Sequence, residues 1–370
     1  MFDRAARGGR TLPGMRSSQL IIPVAALTTL GVLAAPAPAS ASAAPLAAPC
    51  SPSASLLGFS DALDKTELGG TAVSGLSALA VTGGRSAVAL VDNLGTTPAR
   101  FYDLSLRLGR GGPQVAARKV TTLARPDGTP YTGADFDGEG LVAERGGRTI
   151  LASSETEPSI RRFRRSDGRQ TAELPVPARF RVAPAGQAAR NQTFEALAAT
   201  PDGRTLYAGM EGPLSADAPG LQRIIRYQGR AGGRYAPAAQ YAYQTDPSLG
   251  LVELVALRHG GLLALERGFT PGIGNTVRIY RTSTWRARDV SRVPSLTPGS
   301  ALRKKLLVDI VTCPPSGATA RQPQPNPLLD NIEGMALGGR TRDGRTVLYL
   351  VSDDNGGATQ ITRVYALAVR

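Results

Sequence analysis

Residues 190–213 read RNQTFEALAATPDGRTLYAGMEGP. Phe194, Ala196, Leu197 and Ala198 form one apolar run, and Leu206 to Met210 form a second. Pro201-Asp202-Gly203 lies between them. Proline presets φ and glycine accepts a positive φ, so this tripeptide is a turn with a mechanism. The stretch predicts a β-hairpin. Antiparallel pairing sets the start of the first strand beside the end of the second. Glu195 and Glu211 are therefore expected together at the open end.

The arrangement recurs along the chain. Gly75 to Ala80, a Gly83-Gly84 turn and Ala87 to Val91 end at Asp92. Glu139 to Ala143, a Gly146-Gly147 turn and Thr149 to Ala152 end at Glu155. Glu253 to Leu257, a turn at His259 to Gly261 and Leu262 to Leu265 end at Glu266. Glu333 to Leu337, a turn around Asp343-Gly344 and Val347 to Val351 end at Asp353 and Asp354. Two further strand-like runs follow each hairpin except the last, which has one, Thr362 to Val369. Ser55 to Leu63 precedes the first hairpin and can supply the missing strand. This grammar predicts an all-β fold: a β-propeller of five four-stranded blades closed by an N-terminal strand, with six blades as the alternative. A β-sandwich would leave the repeat unexplained.

Composition agrees. The chain has 370 residues, 43 glycines and 28 prolines, and a net charge of +14. The basic balance suits anionic partners, but an arginine-rich proteome accounts for it as well. The Ile160 to Arg165 run of arginines around Phe163 reads as a guarded strand rather than a polyanion site, and no nucleic acid is expected as partner. With one histidine, His259 in a predicted turn, a His-rich zinc site is excluded. No G-x-S-x-G elbow occurs.

Residues 1–44 read as a secretory signal: a basic n-region (Arg4, Arg7, Arg10, Arg16), an apolar run from Leu20 to Ala35, and small-residue cleavage sites near Ala41 to Ala44. Residues 45–370 are then a single propeller domain, expected to be secreted, free of the membrane after cleavage, and monomeric. In an oxidising compartment the two cysteines, Cys50 and Cys313, are expected to form a disulfide. It would fasten the ring where the chain starts and ends.

The first strand of each propeller blade lines the central channel. The pattern therefore brings Asp92, Glu139, Glu155, Glu195, Glu211, Glu253, Glu266, Glu333, Asp353 and Asp354 to one rim. So many carboxylates need protons or cations. Oxygen ligands suit Ca²⁺, and Arg190 and Arg267 are available as partners.

At these residues the chain resembles the phytase-like propeller proteins described as "esterase-like activity of phytase". The matching pieces are Gly75-Leu76-Ser77 with Asp92, Asp137-Gly138-Glu139-Gly140-Leu141, Arg190 to Glu195 with Pro201 to Leu206, Glu266-Arg267-Gly268, Asp330 to Met335, and Ser352 to Asn355 with Gln360. They span nearly all of the expected mature chain, in order. The resemblance implies a secreted hydrolase of phosphoric or carboxylic esters, with calcium as its cofactor. On that reading Glu195, Glu211, Glu266, Glu333 and Asp353 are the catalytic candidates. Arg190, Asn191, Arg267, Asn331 and Asn355 would bind a small anionic or ester substrate. Asp92, Glu139, Glu155 and Asp354 would hold metal. The alternative is a secreted propeller that binds a ligand without turning it over.

Overall fold

The computed structural model describes residues 48–92 and 95–370. The expected signal segment and its cleavage sites lie outside the described residues. Five antiparallel blade sheets follow one another along the described chain, with a short two-stranded ribbon, Glu67–Leu68 and Thr71–Ala72, ahead of the first. The first blade is Leu76–Gly83, Ser86–Val91, Arg100–Gly109 and Gly112–Thr122. The second is Gly138–Glu144, Thr149–Ser154, Ser159–Arg164 and Gln170–Glu173. The third is Phe194–Ala199, Thr205–Met210, Leu221–Gly229 and Tyr235–Gln244. The fourth is Gly250–Ala256, Gly261–Thr270, Gly274–Ser283 and Lys304–Asp309. The fifth takes Ile332–Arg340, Thr346–Ser352 and Val364–Val369 from the C-terminal end, and Ala54–Ser60 and Ala48–Ser51 from the N-terminal end. Each inner strand packs against the inner strands of both neighbours, the fifth against the first included, so the ring closes at five blades.

Strand alternation explains why each blade needs two neighbours. Successive side chains leave a strand on opposite faces. On the second blade Leu141 joins the core shared with the first, and Val142 joins the core shared with the third. Leu76 and Leu79 of the first blade face the fifth, while Ala78 and Ala80 face the second. Five cores thus lie between blades, each built from two sheets. A strand apolar on both faces reads as a continuous run, as the inner hairpins do.

Closure goes one strand beyond the expected pattern. Ala54–Ser60 pairs with Val364–Val369 as anticipated, and Ala48–Ser51 adds a fifth, edge strand carrying Cys50. The Cys50–Cys313 disulfide is formed, across a sequence separation of 263. Cys313 follows the short 3₁₀ turn Ile310–Thr312, in the connection from the fourth blade to the fifth. Nearby, Thr312 Oγ1 donates to the Cys50 carbonyl at 2.7 Å and Ser51 Oγ to the Leu307 carbonyl at 2.7 Å.

The arginine-rich third strand of the second blade is spent internally. Arg162 pairs with the buried Glu144 at 2.6 Å, Arg161 with Glu173 at 3.3 Å, and Arg165 with Asp103 at 2.7 Å. His259 is exposed at the closed end of its hairpin, with φ of 58°. Among the described residues no helix is long and apolar enough to cross a membrane.

Candidate functional site

Register decides which side chains reach the channel mouth. The pairs that flank the bulge near the open end of the five inner hairpins are Leu76–Val91, Gly138–Ser154, Phe194–Met210, Leu251–Glu266 and Ile332–Ser352. Immediately past each pair the first strand slips its register. Such a bulge bends the strand and re-aims a side chain. The residue after the pair on the first strand is Ser77, Glu139, Glu195, Val252 or Glu333. The residue after the pair on the second strand is Asp92, Glu155, Glu211, Arg267 or Asp353. These ten positions are equivalent in register around the ring. Close approach of neighbouring strands is secured by glycine beside two of the glutamates. A Cβ on Gly140 would meet Leu197 Cβ at 2.6 Å, and one on Gly334 would meet the Ser77 carbonyl at 3.0 Å.

The fourth blade runs one residue out of step with the expected acidic pattern. Val252 stands where three other blades carry glutamate, and Arg267 stands where they carry a second-strand acid. Glu253 sits deeper in the channel. Its Oε1 accepts from Leu254 N at 2.8 Å and Leu197 N at 3.3 Å, and Met335 N also donates to it, so it ties three inner strands together. Glu266, expected among the catalytic residues, lies outside the cluster. It accepts from Tyr243 Oη at 2.6 Å, Asp246 N at 2.8 Å and Lys304 Nζ at 2.5 Å. Asp354, expected to hold metal, also points elsewhere. It accepts from Ser74 Oγ at 2.5 Å and Gly75 N at 3.0 Å and pairs with Lys65. Burial opposes its charge, but Lys65, Ser74 and Gly75 outweigh that and hold its carboxyl below the usual range. Arg190 and Asn191 are exposed on the segment entering the third blade, Asn191 with φ of 56°. Asp137 joins the cluster instead, through a hydrogen bond with Asp92. The Asp137-Gly138-Glu139 tripeptide was its only sequence signal.

The remaining acids converge. Asp92, Asp137 and Glu139 offer oxygens within 4.8 Å of one another, and so do Glu139, Glu155 and Glu195, so Glu139 belongs to both trios. Ser77 Oγ donates to Glu139 at 2.5 Å, and Thr193 N to Glu155 at 2.8 Å. Burial first, then the neighbouring carboxylates, push Glu139, Glu195 and Asp353 well above the carboxylate range. Burial with Asp137 raises Asp92 to about 8, and burial with Glu211 raises Glu155 to about 8. Between about pH 4, where an unfolded chain's carboxyls ionise, and about 8, the folded cation-free protein holds the more protons. Its stability therefore falls as pH rises through that window.

The donor set fits a hard divalent cation: it is all oxygen, mostly carboxylate, with neither imidazole nor thiolate. Glu195 Oε2, Asp353 Oδ2 and Asp92 Oδ1 are buried atoms without a hydrogen-bond partner, on side chains that crowd the same mouth. Glu195 is only 7 % exposed and Asp353 is 0 % exposed.

Arg267 faces the acids from the other side. Its Nη2 lies 2.8 Å from Glu333 Oε1, and Asn331 Nδ2 donates to the same oxygen at 3.1 Å. Burial disfavours the guanidinium charge, but Glu333, Glu211, Glu195 and Asp353 more than offset it. Beside this pair lies a cavity of about 330 Å³, which Arg267, Glu333, Asn331, Asn355 and Gln360 help to line. Three of the five residues expected to bind substrate thus meet in one place. Asn355 N donates to Asp353 Oδ1 at 2.7 Å, which couples the cavity wall to the carboxylate cluster.

A family model described as "Phytase-like: Esterase-like activity of phytase" matches residues 71–356. No curated protein matches the chain. Among solved structures, the periplasmic gluconolactonase PpgL of Pseudomonas aeruginosa is similar at 13 % identity, over 79 % of this chain and 85 % of that one, with a TM-score of 0.34. A Trichoderma reesei carbohydrate-active enzyme of family AA12 is similar at 12 % identity, over 88 % of this chain and 98 % of that one, with a TM-score of 0.39.

Proposed function

Because this chain belongs to the phytase-like family described as "esterase-like activity of phytase", we propose that it hydrolyses phosphoric or carboxylic esters at the carboxylate cluster, with Ca²⁺ as cofactor. The observation that carries the proposal is the pair of carboxylate trios sharing Glu139, set across the mouth from the half-buried Arg267. Asp92, Asp137, Glu139, Glu155 and Glu195 would hold the cation. A calcium ion bound there would supply Lewis-acid stabilisation of charge developing on an ester oxygen. Arg267 would orient the ester and donate to its anionic oxygens from a site largely shielded from water. Glu211, Glu333 and Asp353 line the same mouth, and burial raises each above the ordinary carboxylate range, so each holds a proton more tightly than a free carboxyl and could serve as the proton donor. The Cys50–Cys313 disulfide supports a secreted protein, because such bonds persist in oxidising compartments.

The test is turnover of p-nitrophenyl phosphate, phytate and p-nitrophenyl acetate by the purified protein, with Ca²⁺ and with chelator. Hydrolysis of at least one ester that is lost in chelator and restored by Ca²⁺ is the expected result. No turnover on any of the three, under any metal condition, contradicts the proposal and leaves a ligand-binding propeller.

A further inference from the structure

The cavity beside Arg267 has a wall that the hydrolase reading does not use. It comes from the hairpin joining Gly261–Thr270 to Gly274–Ser283 in the fourth blade. Phe269 pairs with Asn275 across this hairpin, so their side chains share one face. Arg267, two residues before Phe269, shares that face too. All three line the cavity. Phe269 is 49 % exposed and Asn275 only 1 %. Both the Oδ1 and the Nδ2 of Asn275 lack a hydrogen-bond partner. An amide buried without partners costs stability, and a position that carries one calls for an explanation.

Asn275 cannot readily swing out to water. Its backbone N donates to Gln324 Oε1 at 2.8 Å. Gly274, with φ of 112°, lies so close to the adjoining loop that a Cβ there would meet the Pro323 carbonyl at 2.5 Å. The hairpin is therefore seated firmly, and the amide is pre-set to receive a ligand.

The chemistry of the walls selects the ligand. Arg267 and Glu333 already neutralise each other at 2.8 Å. The other polar walls are neutral amides, Asn275, Asn331 and Gln360 among them. A planar amide offers a donor and an acceptor side by side, which matches two neighbouring hydroxyls, each able to give and take a hydrogen bond. Phe269 offers an apolar face for a ring's C–H side. A cavity of about 330 Å³ is near the lower end of small-ligand sites.

We propose that this cavity binds a neutral hydroxylated ring of monosaccharide size, with Asn275 reading two adjacent hydroxyls and Phe269 covering the ring's apolar face. A highly charged polyanion does not fit this cavity, because its wall carries a single guanidinium and that guanidinium stands beside the Glu333 carboxylate. That the ring is the alcohol half of an ester cleaved at the neighbouring cluster rests on the hydrolase reading. The binding does not.

The experiment is ligand-observed NMR titration of the purified protein in chelator with D-glucose, D-galactose and D-mannose, with phytate as competitor. At least one sugar is expected to bind in the millimolar range and to resist displacement by phytate. Asn275→Ala is expected to weaken it at least about tenfold. Phe269→Ala, at an exposed position that folding does not need, is expected to weaken it several-fold. Failure of all three sugars to bind, displacement by phytate, or equal binding by wild type and both variants overturns the proposal. Binding is read without turnover, so absence of hydrolysis leaves this result standing, and absence of sugar binding leaves the hydrolase reading standing.

Discussion

Replacing Glu139 with glutamine is expected to place the variant above wild type in stability without calcium and below it with calcium, at about pH 8. On the proposed calcium site, calcium at 100 times its Kd would add about 2.7 kcal/mol to the stability of the wild type. Glu139 is the carboxylate shared by both trios, so on that reading its loss would take a charged ligand from each. The cost in affinity should exceed the roughly 10–100-fold that follows loss of even an outer-shell partner, which is enough to erase the gain. The cation-free variant should move the other way. Burial and the charges of Asp92, Glu155, Asp137 and Glu333 all oppose ionisation of Glu139. Glutamine removes that charge while its carbonyl still accepts from Ser77 Oγ, which donates to Glu139 in the wild type. Thermal melts at about pH 8 should therefore show E139Q above wild type in chelator and below it in calcium. Parallel gains in the two proteins would rule out a shared ligand.

Removing the disulfide, as Cys50→Ser with Cys313→Ser, is expected to destabilise the ring by about 5 kcal/mol, the chain-entropy value for a very long loop. The bond spans 263 residues and ties the edge strand Ala48–Ser51 to the connection entering the fifth blade. That blade is built from both ends of the described chain, so its pairing of Ala54–Ser60 with Val364–Val369 is the most distant in sequence. Amide hydrogen exchange should rise there first, ahead of the second, third and fourth blades, whose strands are each contiguous. An unchanged urea midpoint, or exchange rising evenly through all blades, would contradict this role.

Much of this was legible in the chain because the repeat is local. Each inner hairpin announces itself by two apolar runs and a glycine turn, and strands buried on both faces leave continuous apolar runs. Ring closure followed because one blade lacked a strand and the N-terminal segment had one to spare. The site was harder to read because a bulge shifts register by one residue without changing composition. Glu253 and Glu266 fit the acidic pattern as well as any other hairpin end. All five inner hairpins bulge at the equivalent place, but in the fourth the acids are offset by one residue, so Val252 and Arg267 take the positions that are acidic in the other blades, and both glutamates have structural duties. Asp354 was inseparable from Asp353 in sequence, but adjacent residues leave an extended chain in opposite directions. Asn275 gave no signal: its burial depends on how the fourth blade's second hairpin rests on the 322–324 loop, a contact between segments about 50 residues apart.

The central claim is that the carboxylate cluster is a cation site whose protons and metal compete. Calorimetric titration with Ca²⁺, at about pH 6 and about pH 8 in buffers of different ionisation enthalpy, tests it most directly. With Asp92 and Glu155 held protonated up to about 8, binding is predicted to release protons at the lower pH and to tighten as pH rises. Absence of binding, or an affinity independent of pH with no proton release, would contradict the account.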